Sequence, residues 1–315
     1  MRISCIGSIV IRIRVNTGEK RARLSVVITG ASSGIGQATA EAFAQEGARL
    51  VLAARGVEAL EQVAQHCRAF GAEVLVVPLD ITDPHAVQAL ATRVREFASP
   101  LHMWVSNVGV GAVGKYHEVP MHAHEQVVRA NLLGHMYDAH VAVPIFLEQG
   151  FGTFVNMISI GAFAPAPYAA AYTASKFGLR GFSQALRGEL SAHPRIHVCD
   201  VYPAFVDTPG IVHAGNYTGR RLSAPPPVED ARHVARAILE LSRRPRRTVL
   251  VGRAAPLIRL AGALAPSLGA RMMNRFLGRY FDRADPAPVT EGKLFAPPSS
   301  PDGIDGGIRR SRDWL

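Results

Sequence analysis

Short apolar runs rich in β-branched residues alternate with longer segments of helical periodicity along most of the chain. Strands that are buried on both faces of a parallel sheet read as such runs, so the alternation is typical of βαβ units. The pattern predicts seven strands, at Leu24 to Thr29, Arg49 to Ala53, Glu73 to Pro78, Met103 to Ser106, Thr153 to Ile158, His197 to Tyr202 and Thr248 to Val251.

The segments between these strands predict six helices, most of them followed by Gly or Pro as is usual at helix ends. They lie at Gly34 to Glu46, Val57 to Phe70, Pro84 to Phe97, His122 to Gln149, Tyr172 to Ala192 and Val228 to Arg243. Parallel crossovers are right-handed, so the expected fold is α/β: a doubly wound, seven-stranded parallel sheet in three α/β/α layers. Ligands of such sheets bind outside the carboxyl ends of the strands.

The pattern also divides the chain into three parts. We expect a basic N-terminal leader over residues 1–23, one domain over residues 24–252 and a C-terminal tail over residues 253–315. Within the domain, the Gly/Pro-rich stretch from Pro203 to Pro227 follows a strand, where a long excursion more often covers an active site than fills space. The Pro/Gly/Ser-rich end of the tail predicts poor order.

A basic amphipathic helix is predicted inside the tail. Apolar residues recur there at every fourth position with arginines beside them, namely Leu268, Met272, Phe276 and Tyr280 with Arg271, Arg275 and Arg279. Such a helix can pack on its own domain or on a dimer partner, form a lid over the substrate cleft, or make a weak contact with a membrane surface. The sequence leaves these three alternatives open.

The 315 residues are 48% hydrophobic and 19% charged, a composition that excludes a disordered chain. The net charge of +10 raises the question of nucleic-acid binding. The charge is scattered, however, and its dense runs, from Arg243 to Arg247 and from Arg309 to Arg312, lack interleaved aromatic residues. We therefore expect no nucleic-acid partner.

Cys5, Cys67 and Cys199 are the three cysteines, and their spacing fits neither a disulfide framework nor a zinc knuckle. A reducing compartment, the cytoplasm, is the simplest expectation. Arginines interrupt the apolar part of the leader, so it does not resemble a cleaved signal. The most apolar long segment, Ala254 to Ala270, contains one arginine and two prolines, and no transmembrane helix is predicted.

A glycine-rich turn, Thr29-Gly30-Ala31-Ser32-Ser33-Gly34-Ile35-Gly36, joins the first strand to the first helix. Glycines allow a tight turn and the close approach of a pyrophosphate, whose charge is stabilised by the free N–H groups at the helix N-terminus. The spacing is GxxxGxG rather than GxGxxG. Its position in the first βαβ unit makes it a candidate dinucleotide site.

Tyr172 and Lys176 lie four residues apart, on one face of a predicted helix. A phenol titrates near pH 10 in water, and a nearby cation lowers that pKa, so the pair can act as acid and base near neutrality. Such a pair also occurs by chance on helix surfaces. Ser159, at the carboxyl end of a predicted strand, can hydrogen-bond a substrate oxygen as charge develops on it, although a serine there is more often a turn residue.

The end of the second strand bears on the choice of coenzyme. NAD-preferring sites of this architecture place an acidic residue about 20 positions past the glycines, where it binds the ribose 2'-hydroxyl. Here Ala54 takes that place and Arg55 follows. A guanidinium pairs bidentately with phosphate, so we expect NADP(H) rather than NAD(H). The alternative is an Arg55 that points to solvent.

Together these residues resemble the ordered motif set of the short-chain dehydrogenases/reductases, a family with the Rossmann fold. The resemblance spans about Leu24 to Gly252 and is carried by Thr29-Gly30-x-x-x-Gly34-x-Gly36, Asp80, Ser106-Asn107-Val108-Gly109, Asn131, Ser159, Tyr172-x-x-x-Lys176 and Pro203 to Thr208. Two positions depart from the family pattern. Val108 replaces a smaller residue and can crowd the cofactor, and Ala204 stands where glycine usually follows Pro203.

The resemblance implies catalytic roles for four residues. Tyr172 would exchange a proton with the substrate oxygen, Lys176 would lower the pKa of Tyr172 and hold the nicotinamide ribose, Ser159 would orient the carbonyl, and Asn131 would support a water-linked proton path. The implied cofactor-binding residues are Gly30, Ser32, Ser33, Gly34, Ile35, Gly36, Arg55, Asp80, Ile81, Asn107, Val108, Gly109, Tyr172, Lys176, Pro203, Val206 and Thr208.

The expected function is hydride transfer between NADP(H) and a carbonyl or alcohol substrate, in a homodimer or homotetramer built through helices such as His122 to Gln149 and Tyr172 to Ala192. An apolar carbonyl is suggested by Phe163, Ala164, Pro165, Phe205 and Ile211. The competing hypothesis is a non-catalytic dinucleotide-binding or redox-sensing protein of the same fold. Five histidines between His117 and His140 match no metal motif, so no metal is expected.

Overall fold

The structure is a computed structural model that describes residues 23–297 and 302–310. Its centre is a seven-stranded, wholly parallel sheet in the order β7-β6-β5-β4-β1-β2-β3. The strands are β1 Ser25–Thr29, β2 Arg49–Ala54, β3 Glu73–Pro78, β4 Met103–Ser106, β5 Gly152–Met157, β6 Ile196–Pro203 and β7 Thr248–Val251. The predicted doubly wound fold is confirmed.

Helices cover both faces of this sheet. The domain helices are α1 Gly34–Gln45, α2 Val57–Ala69, α3 Pro84–Phe97, α4 Met121–Val128, α5 Gly134–Gln149, α6 Ala170–Glu189, α7 Pro209–Val212 and α8 Ala231–Arg243. One apolar core joins the sheet to α1, α2 and α8, and a second joins it to α3, α5 and part of α6. The two cores bury the strands on both faces, which explains why the strands read as continuous apolar runs.

Three predicted strands have the observed bounds and the other four differ by one residue at one or both ends, whereas one predicted helix is interrupted. The single helix expected from His122 to Gln149 contains a π-helical turn, Arg129–Leu133, between α4 and α5. The wider turn is one residue longer than hydrophobic periodicity anticipates, and such turns are common at functional sites. The last domain helix begins at Ala231 rather than Val228 because the Asp230 carboxylate accepts from the backbone N–H of Arg232 and caps it.

Two helices follow β7, α9 Ala255–Leu264 and α10 Pro266–Arg283, with only Ala265 between them, and we call this pair the lid hairpin. Of the described helices, none has the length and apolarity needed to cross a membrane. The predicted basic leader of residues 1–23 lies, except for Arg23, outside the described residues.

The tail beyond the lid hairpin differs from its predicted disorder wherever it is described. Residues 284–297 return to the domain, where Thr290 bridges to Asn216 and Leu294 is buried. Residues 302–310 run past the glycine-rich turn, and Arg309 pairs there with Asp207. Although the segment is rich in Pro, Gly and Ser, a few buried side chains such as Leu294 hold it on the domain. We call residues 284–297 together with 302–310 the C-terminal strap.

Candidate active site

A cavity of about 540 Å³ lies at the carboxyl ends of the strands. It is lined by almost all of the residues that the motifs singled out: Gly30, Ser32, Ser33, Gly34, Ile35, Arg55, Asp80, Ile81, Asn107, Val108, Gly109, Ser159, Tyr172, Lys176, Pro203, Val206 and Thr208. Gly36 and Asn131 do not line it. The parallel sheet explains this convergence, because all seven strands end at the same edge.

The glycine-rich turn brings backbone close to backbone at one end of the cavity. Gly30 and Gly34 have positive φ angles, 69° and 53°, which favour glycine. A Cβ on Gly36 would lie 2.0 Å from the carbonyl oxygen of Gly30, so only glycine allows α1 to start so close to β1. Helix α1 begins after Ser33 without a side-chain cap and without an acidic residue in its first turn, although the Gly34 N–H donates to the Gly303 carbonyl of the strap at 2.9 Å. The N–H groups that follow Gly34 in this first turn therefore offer an anion site.

The loop after β4 is held against this turn by side chains. Asn107 donates through Nδ2 to the Gly30 carbonyl at 3.0 Å, and His135 donates through Nε2 to the Val108 carbonyl at 2.8 Å. Burial and the nearby Lys176 charge lower the pKa of His135 to about 4, so its imidazole is neutral. Val108 itself is half-buried and packs partly on the core, which limits the crowding that its size suggested.

Asp138 on α5 is a buried residue that the sequence analysis did not single out. Its Oδ2 accepts from the Thr29 hydroxyl at 2.8 Å and from the Ser106 hydroxyl at 2.6 Å. The carboxyl group thus ties together the ends of β1 and β4 beneath the cavity. Burial raises its pKa to about 7, against the opposing effect of the two hydroxyl donors. The sequence signal that could have identified Asp138 is an acidic residue on a helix face that is otherwise buried.

Tyr172, Ser159 and Lys176 meet in the middle of the cavity. Burial raises the pKa of Tyr172, and a hydrogen bond with Ser159 opposes that rise. The Ser159 hydroxyl also accepts from the N–H of Gly161 at 3.0 Å. A hydroxyl pair of this kind can bind one substrate oxygen from two sides and exchange a proton with it.

Lys176 is almost fully buried, with its Nζ 5.7 Å from the centre of the Tyr172 ring. The ammonium donates to the Met157 carbonyl at 3.0 Å, and burial lowers its pKa to about 7. Charge on Lys176 is therefore available near neutral pH to act on the phenol. The predicted lowering of the Tyr172 pKa by Lys176 stays a prediction, since burial and Ser159 are the causes found here.

Asn131 sits inside the π-helical turn and reaches the loop after β4. Its amide accepts from the Val110 N–H at 2.8 Å and donates to the Val110 carbonyl at 2.9 Å and to the Ser175 hydroxyl at 3.3 Å. These two hydrogen bonds to Val110 fix the loop beside the cavity. The π turn supplies the geometry, because it turns Asn131 toward Val110 out of the regular helix. The water-linked proton path stays a prediction.

Arg55 directly follows β2 and lines the cavity at the same end as the glycine-rich turn. Its guanidinium does not point to solvent, the alternative left open above, but donates to the carbonyls of Lys293 and Leu294 at 2.7 and 3.0 Å. Burial lowers its pKa and the charge of Asp80 opposes that effect. Asp80 accepts from both the N–H and the hydroxyl of Thr82 through Oδ1. A cation with several N–H donors thus lies at the end of β2, where an acidic residue would select a ribose hydroxyl.

The part of the cavity beyond Tyr172 is apolar. Ala164, Pro165, Phe205 and Ile211 line it as expected, whereas Phe163 does not. The Phe163 ring turns away, against Tyr202 at 4.7 Å between ring centroids. The lid hairpin and the strap also contribute lining residues. Tyr280 belongs to the apolar face of the predicted tail helix, whereas sequence reasoning missed Ile258, Met273, Leu277, Phe281, Lys293, Leu294 and Pro297. They are far from the motifs in sequence, and no local pattern assigns them to the cleft.

The lid hairpin also resolves part of the ambiguity about the tail helix. Met273, Leu277 and Phe281 line the cleft, so α10 packs on its own domain and covers the apolar part of the cavity. The predicted apolar face is wrong for Leu268 and Met272, which are exposed on the outer side, whereas Tyr280 lines the cleft. Among the described residues, no group of three or more His, Cys, Asp or Glu side chains is placed to hold a metal ion.

Comparisons with known proteins agree with this geometry. Residues 25–215 match the family described as short chain dehydrogenase. The uncharacterized oxidoreductase YxnA of Bacillus subtilis is 30% identical over 260 residues, which cover 80% of this chain and 72% of that protein. Mouse dehydrogenase/reductase SDR family member 7 is 33% identical over 187 residues, covering 58% of this chain and 55% of that protein.

Solved structures give the same result. A short-chain dehydrogenase from Sphingobium yanoikuyae in complex with NADPH superposes with a TM-score of 0.66 at 31% identity, covering 76% of this chain and 93% of that one. A metagenomic short-chain oxidoreductase in complex with NADP has a TM-score of 0.62 at 29% identity, covering 72% of this chain and 96% of that one. With its motif residues gathered in one cleft, the chain belongs to the short-chain dehydrogenase/reductase family and is an oxidoreductase.

Proposed function

We propose that this protein interconverts a carbonyl and an alcohol with NADP(H) as coenzyme, and that its substrate is apolar. The observation that carries the proposal is one continuous cavity with the dinucleotide motifs at one end, Tyr172 and Ser159 in the middle and an apolar chamber under the lid hairpin at the other. The coenzyme supplies or accepts the hydride when bound.

The residues present fit a dinucleotide. The turn at Gly30 leaves little room for a side chain, since a Cβ there would lie 3.2 Å from both Asn107 and Val108. The first turn of α1, which no side chain caps, would hold the pyrophosphate through the backbone N–H groups that follow Gly34. Asp80 and Asn107 would line the adenosine side, and Lys176 the nicotinamide ribose.

Arg55 supports NADP(H) over NAD(H). Its two hydrogen bonds to the strap use one N–H each of Nη1 and Nη2, so donors remain for a 2'-phosphate. Ala54, at the end of β2, brings no carboxylate that would repel this phosphate. The solved relatives that contain NADP or NADPH are consistent with this choice.

Three side chains would handle the proton and the developing charge. Tyr172 donates its proton to the carbonyl oxygen during reduction, or removes it from the alcohol in the reverse direction. Ser159 donates a hydrogen bond to the same oxygen and stabilises the charge that grows on it. Lys176, with a pKa near neutrality, stabilises the phenolate that Tyr172 leaves behind. Asn131 holds the Val110 loop so that these groups keep their positions.

Assembly and location are further parts of the proposal. We propose a homodimer or homotetramer through α5 and α6, supported by the exposed side chains of Met136, Leu147 and Phe177 on these helices. A cytoplasmic location is supported by Cys67 and Cys199, which are both buried free thiols.

The test is NADPH oxidation by the purified protein with a panel of aldehydes and ketones of increasing apolar size. We expect turnover with at least the bulkier apolar members. Quenching of cofactor fluorescence without turnover of any member would instead favour the non-catalytic dinucleotide-binding protein. The reverse assay, NADP⁺ reduction with the matching alcohols, distinguishes a non-catalytic protein from an enzyme that does not reduce the carbonyls in the panel.

A further inference from the structure

The outer face of the lid hairpin is apolar and exposed. Five side chains on this face have between 56% and 76% of their surface accessible: Leu257, Leu260, Leu264, Leu268 and Met272. Leu257, Leu260 and Leu264 share one side of α9 at spacings of three and four residues, and Leu268 and Met272 are four residues apart on α10. Exposed apolar surface of this extent on a folded domain marks an interaction site.

The fold does not need these side chains, because the opposite face of the hairpin does the packing. Ile258 lines the cleft, and Gly262 lies so close to the domain that a Cβ would come 2.1 Å from the Phe163 carbonyl oxygen. On α10, Met273 and Leu277 face the cleft. The outer leucines therefore do not belong to the core, and they can be buried against a partner without loss of a contact within the domain.

Arginines are interleaved with these leucines. Helical spacing places Arg275 and Arg279 on the same side of α10 as Leu268 and Met272, with Arg271 at the border. All three are exposed, and in the described part of the chain no acidic group lies within ion-pair distance of them. Asp282 is the one acidic residue in the hairpin.

We propose that this face of the lid hairpin docks on an anionic lipid surface. The leucines would enter the boundary between headgroups and acyl chains, while the long arginine side chains would reach up to lipid phosphates. A second copy of the chain fits the face less well, because a symmetric contact would bring the two arginine rows together. Nucleic acid fits less well again, since aliphatic side chains offer no stacking surface for bases.

The docking has a consequence for access to the cleft, which rests on the proposed function. The same two helices carry Leu264 and Leu268 outside and Ile258 and Leu277 inside. A hairpin seated on lipid would hold the apolar chamber next to the phase in which an apolar carbonyl dissolves. The docking itself does not depend on which substrate or coenzyme the enzyme uses.

The experiment is flotation of the full chain with phosphatidylcholine vesicles, with and without about 30% phosphatidylglycerol, at low and high salt. We expect at least about ten-fold more protein on the anionic vesicles at low salt, because several arginines lie near the surface. Leu257→Ser/Leu264→Ser should lose most of the binding at either salt concentration. Arg271→Gln/Arg275→Gln/Arg279→Gln should lose the preference for anionic vesicles.

Matched controls make the test specific. Arg244→Gln/Arg246→Gln/Arg247→Gln removes the same charge from the exposed segment that follows α8, and Phe70→Ser/Val289→Ser removes apolar surface at two other exposed positions. Both should bind as the wild type does, and melting temperatures will verify that every variant is folded. Equal loss in the controls, or no binding of the wild type to anionic vesicles, would overturn the proposal. So would a wild-type dimer that Leu257→Ser/Leu264→Ser dissociates in the absence of vesicle binding, which would assign the face to a second copy.

Discussion

Arg55, at the end of the second strand, donates two hydrogen bonds to the backbone carbonyls of Lys293 and Leu294, more than 230 residues later in the chain. The C-terminal strap thereby holds the guanidinium in the cleft. Without this contact a long arginine side chain at a strand end would sample many rotamers. Under the proposed function, the strap would lower the entropic cost of placing this cation against a phosphate.

Replacing Arg55 by Ala tests the coenzyme choice. The wild type should favour NADPH over NADH in kcat/KM, and Arg55→Ala should lose about 10-fold or more of that preference, since a charge-assisted hydrogen bond contributes about 1.5–3 kcal/mol. NADH activity should be retained. Arg93→Ala, at an exposed position on α3, is the control and should change neither value. Equal use of both coenzymes by the wild type would contradict the assignment.

Replacing Tyr172 by Phe tests the proton transfer. The ring packing is kept and only the hydroxyl is lost, so turnover should fall by about 100-fold or more while the coenzyme still binds. Stopped-flow turnover and coenzyme fluorescence titration measure the two effects separately. Tyr116→Phe removes an exposed hydroxyl and should behave as the wild type. Near-normal turnover of Tyr172→Phe would remove this residue from the mechanism.

Lys176 is assigned two functions, and Lys176→Ala should impair both. The coenzyme dissociation constant should rise because a ribose contact is lost, and turnover should fall because the phenolate loses its cation. Lys115→Ala, which removes an exposed lysine paired with Glu118, serves as the comparison. A lower rate with unchanged coenzyme affinity would eliminate the ribose contact and leave the electrostatic one.

Asp138 makes stability depend on pH in a predictable direction. The unfolded carboxyl ionises near pH 4, whereas the folded one keeps its proton up to about pH 7, so the folded state binds the extra proton between these values. The contribution of Asp138 to the free energy of unfolding is therefore full below pH 4 and is lost progressively as the pH rises to 7, by up to about 1.4 kcal/mol per pH unit.

Urea unfolding of the wild type and of Asp138→Asn across this pH range measures the effect as a difference. The stability of the variant relative to the wild type should rise from pH 4 to pH 7 and then level off. The difference is needed because His135, whose pKa is lowered to about 4, contributes a slope of opposite sign up to about pH 6.5. A pH-independent difference would show that the carboxyl titrates outside this window.

Leu277 tests the lid. Truncation to Ala removes apolar surface from the chamber, so the KM for a bulky apolar carbonyl should rise several-fold while kcat for a small aldehyde stays close to that of the wild type. Leu268→Ala, on the outer face of the same helix, is the matched control, assayed without lipid. Equal effects of the two substitutions on KM would contradict the assignment of the inner face to substrate binding.

Sequence alone determined the parts of this protein that depend on local or periodic signals. Buried parallel strands require continuous apolar runs. The glycine-rich turn requires glycine at Gly34 because its φ is positive, and at Gly36 because close backbone contact leaves no room for a Cβ. Tyr172 and Lys176 are four residues apart on one helix, so their proximity is a local property. The doubly wound fold, the cleft and the family were therefore predictable.

Tertiary structure decided what depends on contacts between distant segments. The register of α10 could not be read from its sequence, because apolar residues lie on both faces and only packing over the cleft selects Leu277 rather than Leu268 as an inner residue. The Asp138 bridge to Thr29 and the strap contact to Arg55 join residues more than 100 positions apart. Such contacts leave no periodic trace, because each depends on the three-dimensional meeting of two segments and not on the spacing within either one.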